Sequence, residues 1–209
     1  MTEQTPEPPV IELVTESSWI SGRLARDLAS DAANLASLLN LSEYSLSGRS
    51  LIESGRLVDV LNRDGGYITV SAARIQPLFP IELLDRNADE VAVNMTEILC
   101  AAPLRPDAIP SPAAPQGTVP APIRSDRERR QVALQVGPIL VQGDLHVMPG
   151  SEPIPAYFHG DRAFVPLTNA TAIYLPEPNR KWVREVLIVN MRRTQMLIAA
   201  PPREDDQSQ

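Results

Sequence analysis

The sequence predicts a mainly β chain of two tandem modules, an internal duplication, with one helical insertion in the first module and a proline-rich linker between the two. Three observations lead there. Four short sequence blocks recur in the same order in both halves, apolar residues of the second half alternate with the period of a strand, and 21 prolines with only 4% aromatic residues disfavour long helices.

The recurring blocks set the plan. WISGRL at 19–24 matches LVQGDL at 140–145, and Asp64 followed by YITVSAARI matches Asp161 followed by FVPLTNATAI. VAVNM then matches LIVNM, and LCAAPL matches LIAAPP. Equivalents lie 121 residues apart at Gly22 and Gly143, but 97 apart at Asp64 and Asp161 and 96 at Asn94 and Asn190. The first half therefore carries about 24 extra residues between its first two blocks. That insertion holds the helix: Asp27 or Ser30 caps it, and Leu28, Leu35, Leu38 and Leu39 share one side, giving a helical stretch over about 27–41.

Along the chain, residues 1–9 are a polar, proline-rich head expected to be disordered, and 10–104 form the first β module. Residues 105–130, RPDAIPSPAAPQGTVPAPIRSDRERR, lack apolar periodicity and read as a semi-rigid polyproline-like linker. The second β module covers 131–202, followed by a disordered tail at 203–209. Within the second module, Val132, Leu134 and Val136 make a short strand, and Gly137-Pro138 marks a turn. Ile139 to Val147 alternates as a half-buried strand with Gln142, Asp144 and His146 on its outer, solvent-exposed face. RAFVPLTNATAIYL reads as a strand pair or one bent strand, and EVLIVNMRRTQMLIAA as a closing hairpin turning near Met191–Thr194.

A module of this size with an early G-x-L, a central aspartate before a strand and a terminal strand pair resembles the Sm-like small β-barrel. Gly143 and Leu145 match that family's G-x-L, Asp161 its aspartate, and Leu167 with Ala170 its following L-x-x-A. The resemblance implies that each half is a small β-barrel-like module. The family's RNA-binding asparagine is replaced by Phe164 and Tyr67, and its arginine-glycine pair by Asn190-Met191 and Asn94-Met95, so the resemblance does not extend to RNA binding.

Composition narrows the function further. A net charge of −7 makes nucleic acid an unlikely partner. No run reaches the ~18–20 apolar residues of a membrane span, and the acidic, proline-rich N-terminal stretch has no secretory pattern, which suggests a cytoplasmic setting. The one cysteine, Cys100, lies in the apolar run ILCAAP and reads as a small buried hydrophobe. Two histidines, His146 and His159, with no metal-ligand spacing, no phosphate loop and no nucleophile motif leave no catalytic, cofactor-binding or metal-binding residue to nominate. The expectation is a non-enzyme without cofactors.

Two readings of function remain. In the first, the chain is an interaction or scaffold protein whose paired small barrels dock a protein partner, or self-associate into an oligomer, through edge strands. In the second, it is a nucleotide- or anion-responsive regulator in which Arg127, Arg129 and Arg130 meet Arg180, Lys181 and Arg184 in one basic patch. The arginines at 127–130 resemble the arginine motif of cyclic-dinucleotide-binding PilZ barrels, but the downstream part of that signature is missing. Trp182 is expected in a loop folded over a barrel mouth.

Overall fold

The computed structural model describes residues 10–24, 57–62, 66–79, 86–104, 128–151 and 162–199. The strands are β1 (Val10–Val14), β2 (Ser18–Leu24), β3 (Tyr67–Pro77), β4 (Arg86–Asn94), β5 (Cys100–Leu104), β6 (Glu128–Val136), β7 (Ile139–Val147), β8 (Phe164–Tyr174), β9 (Lys181–Asn190) and β10 (Thr194–Ala199). They form one ten-stranded sheet in the order β10-β6-β7-β8-β9-β5-β1-β2-β3-β4, antiparallel throughout. The mainly β expectation holds, but the barrel expectation is corrected. The sheet is open, with β4 at one end and β10 at the other.

The expected closing hairpin is corrected as well. β9 and β10 are consecutive in sequence yet unpaired, as are β4 and β5. A single 3-10 turn separates the members of each pair, Met95–Glu97 in the first half and Met191–Arg193 in the second. Asn94 Oδ1 accepts from Thr96 N at 3.0 Å, and Asn190 Oδ1 accepts from Arg192 N at 3.0 Å, so each turn is capped in the same way. The turn carries the chain off the ladder instead of folding it back as a two-residue hairpin would, and the last strand of each half pairs with that half's first strand. These ladders place Cys100 opposite Val14 and Met196 opposite Gln135. By strand register Met196 is thus the counterpart of Cys100, two residues from the letter match of LCAAPL with LIAAPP.

Strong bends let so long a sheet bury two cores. The β2·β3 register shifts between Ser21 and Arg23, and the β7·β8 register shifts between Gln142 and Asp144. Opposite each shift a non-glycine residue takes a left-handed conformation, Ala72 at φ 47° and Asn169 at φ 50°. Gly22 and Gly143 lie at the shifts because the facing backbone leaves no space for a side chain. A Cβ at Gly22 would sit 2.6 Å from Val70 Cγ1 and 2.7 Å from Ser71 O, and one at Gly143 would sit 3.0 Å from Thr168 O. RAFVPLTNATAIYL is accordingly one bent strand, β8. Between β6 and β7, Gly137 supplies the φ of +55° needed at the first of two turn positions, as the Gly-Pro pair led one to expect.

One core gathers Leu134, Val136, Ile139, Val141, Leu145, Leu167, Ala170, Ala172 and Tyr174 inside the second half, together with Val14, Leu78, Leu99, Cys100 and Ala102 from the first. The other gathers Ile11, Leu13, Ile20, Ile68, Val70, Ala73 and Val93 of the first half with Phe164, Val186 and Ile188 of the second. Residues 57–61 are helical, and Leu57, Val58, Val60 and Leu61 all face this second core. On β5 and β9 neighbouring residues point alternately into the two cores, Cys100 and Val189 into one, Ala101 and Ile188 into the other. The central strands are therefore buried on both faces, and the two cores lie on opposite sides of the sheet.

β6 begins at Glu128, inside the segment expected as linker, because its ladder with β7 runs the full length from Val136↔Ile139 to Glu128↔Val147. The expected helix at 27–41, the head, the tail, most of the linker, Asp64, His159, Asp161 and Arg127 lie outside the described residues.

The bends generate a stability prediction. Gly22→Ala should destabilise the chain by about 1–3 kcal/mol, the usual range for forcing atoms into a packed site, and Gly143→Ala by less, since its nearest neighbour is 3.0 Å away against 2.6 Å at Gly22. Urea unfolding of the two variants checks both the size and the order.

Candidate functional site

Polar and aromatic side chains gather where the two halves meet. β5 and β9 pair at Cys100↔Val189 and Ala101↔Ile188, and the Asn190 amide donates to Leu99 O at 2.9 Å. Asn190 is 3% exposed, and its Nδ2 donates to Ile98 O at 2.8 Å, so its burial leaves neither end of the side-chain amide unsatisfied. From the other direction, Asn62 brackets the start of β8. Its Nδ2 donates to Phe164 O at 2.9 Å and its Oδ1 accepts from Phe164 N at 2.8 Å.

Above this seam lies a charged pair. Arg184 Nε and Nη2 donate to the two carboxylate oxygens of Glu12, each at 2.8 Å, in the bidentate geometry that suits a guanidinium. The Glu12 side chain is 7% exposed and that of Arg184 23%. Trp19 stacks on Trp182 with ring centroids 5.1 Å apart, and the Arg184 guanidinium lies 6.0 Å from the Trp19 ring centre. Arg180 crosses the same junction, donating from Nη1 to Leu78 O at 3.2 Å while its guanidinium lies 5.9 Å from the Tyr174 ring centre. Arg193 completes the set with ion pairs to Glu16 and, at 3.5 Å, to Glu97. Arginines of the second half thus meet glutamates and a backbone carbonyl of the first.

The residues nominated for anion binding occupy different places. Arg180 and Arg184 belong to the junction, with Lys181 exposed beside them. Arg129 is exposed at the far end of β6, and Arg130 pairs with Glu128 at 2.7 Å, its Nε buried without a partner among the described residues. Tyr174, beside Arg180, aligns with Ile139 and so with Val136, six residues along β6 from Arg130. At about 3.3 Å per residue that is roughly 20 Å, so Arg180 lies away from Arg130 along the strands, whereas Arg184, level with Ala170 and three strands from β6, is held by Glu12 as Arg130 is by Glu128.

Three further expectations change. Trp182 is on strand β9 and not in a loop. His146 is half-buried, with Nε2 2.9 Å from Thr168 Oγ1, where exposure was expected, because the bend at Asn169 brings Thr168 beneath it. Asn190 and Asn62 were missed as structural residues. The recurring V-N-M was the available signal for Asn190, and its capping role explains why asparagine recurs there.

Burial shifts two titratable groups near this junction. Burial pushes the Cys100 thiol from 9.0 up to about 12, which keeps it protonated and a poor nucleophile. Burial, then the Glu177 carboxylate, raise the Tyr174 phenol, with Arg180 opposing, and the hydroxyl has no hydrogen-bond partner among the described residues. Among the described residues no three His, Cys, Asp or Glu side chains could together hold a metal ion, and no helix is long and apolar enough to cross a membrane. Comparison with protein-family models, curated proteins and solved structures returned no match to this chain.

Two predictions follow from the junction. Glu12→Ala leaves Arg184 desolvated and uncompensated and should cost about 2–4 kcal/mol in urea unfolding, whereas Glu12→Leu combined with Arg184→Leu should recover most of that loss. Cys100 should resist Ellman's reagent at pH 8 until the chain is denatured. Its raised pKa implies a stabilising contribution that is full below pH 9 and lost as pH rises towards about 12, measurable as a fall in melting temperature that Cys100→Ala lacks.

Proposed function

We propose that this chain is a non-enzymatic interaction or scaffold protein in which a five-stranded module occurs twice and presents an unpaired strand edge at each end. The duplication is supported by more than the recurring blocks. Each half orders its strands fifth, first, second, third, fourth, and each carries the same register shift opposite a left-handed residue. The turn amides match too, with Met95 N donating to Gly66 O and Met191 N to Ala163 O. This strand order and these bends are in keeping with the Sm-like resemblance, on an open sheet.

The observation that carries the reading is the pair of free edges. β10 exposes Met196 at 43% and Ile198 at 54%, and among the described residues no strand lies beyond β4. An exposed edge with apolar side chains is a template for another strand. The regulator reading gains no comparable support, since Arg180 and Arg184 are already engaged within the fold.

Capture from an extract of the native cells provides the test. Immobilised wild-type chain should retain a specific protein, a second copy or another, that is lost when charges are placed on the edges by Met196→Lys with Ile198→Lys or by Ala92→Lys. Equal recovery by all three chains would sink the scaffold reading.

A further inference from the structure

The internal junction doubles as a template for what the free edges should bind. β5 pairs with the first strand of its own half on one side and with β9 on the other, whereas β10 pairs with its own first strand and, among the described residues, has no strand on its other side. Likewise β9 lies between β8 and β5, whereas β4 pairs, among the described residues, with β3 alone. Each outer edge is therefore the counterpart of one strand that is already joined inside the chain.

The side chains report the same vacancy. At a spacing of 96, the counterparts of Cys100 and Ala102 are Met196 and Ile198. Cys100 and Ala102 are each 1% exposed, and the second half helps to cover them, whereas Met196 and Ile198 stand 43% and 54% exposed. Asn94 caps its turn as Asn190 does, but the Asn94 amide nitrogen has no acceptor among the described residues, where that of Asn190 donates to Ile98 O.

We propose that the occupant of these edges is a second copy of this chain, β10 of one copy pairing antiparallel with β4 of the next in the register that β5 and β9 use. This rests on the scaffold reading and names its partner. Transposing Cys100↔Val189 and Ala101↔Ile188 by 96 residues aligns Met196 with Val93 and Leu197 with Ala92. Met196 then extends the core to which Val93 belongs, Ile198 lies beside Val91, and the Asn94 amide reaches Thr194 O of the neighbour. The two edges differ, so the contact is head to tail and yields a ring or a filament according to the rotation per copy.

The contact between copies is weaker than the junction inside the chain. By the same ladders, Glu12 and Trp19 become Ala133 and Leu140 at the β10 edge, while Trp182 and Arg184 become Arg86 and Ala88 at the β4 edge. Neither the ion pair nor the aromatic stack is reproduced. Assembly should therefore depend on protein concentration.

The test uses the full chain. Light scattering should show species heavier than the 22.9 kDa chain, growing with concentration, and Ile198→Asp should weaken association about tenfold or more without lowering the monomer's melting temperature. Val93→Cys with Met196→Cys, oxidised with diamide, should give intermolecular disulfides. The out-of-register pair Val91→Cys with Met196→Cys should not. A chain that stays at 22.9 kDa at every concentration and forms no intermolecular disulfide overturns self-assembly. If the capture experiment then still finds a protein lost on edge substitution, the scaffold reading survives with a different partner, and if it finds none, both fall. Equal cross-linking by the two cysteine pairs overturns the register.

Discussion

Everything in this molecule depends on the seam between β5 and β9. Among the described residues two pairs of backbone ladder and the Asn190 N to Leu99 O bond join the halves there, yet the strands around the seam carry apolar side chains on both faces, and each face supplies a different core. Separating the halves would open both cores at once. The Glu12–Arg184 pair beside the seam bears a desolvation cost that its bidentate geometry offsets, and the stacked Trp19 and Trp182 pack beside it. An ion pair of this kind adds less to net stability than to specificity, because any other approach of the halves would leave Glu12 buried without its partner.

The bends are the second constraint. A flat antiparallel sheet of ten strands would offer two broad faces with nothing to cover them. Here the missing Cβ at Gly22 and Gly143 lets β3 and β8 press against their neighbours, and the left-handed residues Ala72 and Asn169 turn the strand so that side chains on both sides of the bend face one core. Ile68, Val70 and Ala73 in β3, and Val165, Leu167 and Ala170 in β8, keep facing inward although the alternation skips a residue between the last two of each set. Curling then takes opposite faces in the two halves, which is how one open sheet holds two interiors. The same arrangement leaves strand edges at both ends, since neither half closes on itself.

Basic residues illustrate how sequence proximity misleads. Arg180, Lys181 and Arg184 around Trp182 look in the sequence like a surface for a phosphate or a base. In the fold the two arginines point across the seam, towards Leu78 O and Glu12. An acidic chain can bury such cations because its own carboxylates receive them, as Glu12, Glu16 and Glu97 do.

What the sequence determined by itself is whatever is written within about ten neighbouring residues. The alternation from Ile139 to Val147 specified a strand with the observed ends, Gly137-Pro138 specified its turn, and the apolar setting of Cys100 specified burial. The repeated blocks also made the likeness of the halves legible, down to the asparagine before each methionine. Tertiary structure alone decided which strands pair, because ladder hydrogen bonds are made by backbone groups that every residue shares. It decided that β9 leaves β10 to join β5, that Glu12 meets Arg184 across 172 residues of chain, and that His146 rests on Thr168. Partners so distant are selected by the shape and burial of two finished halves, and no local periodicity carries that information.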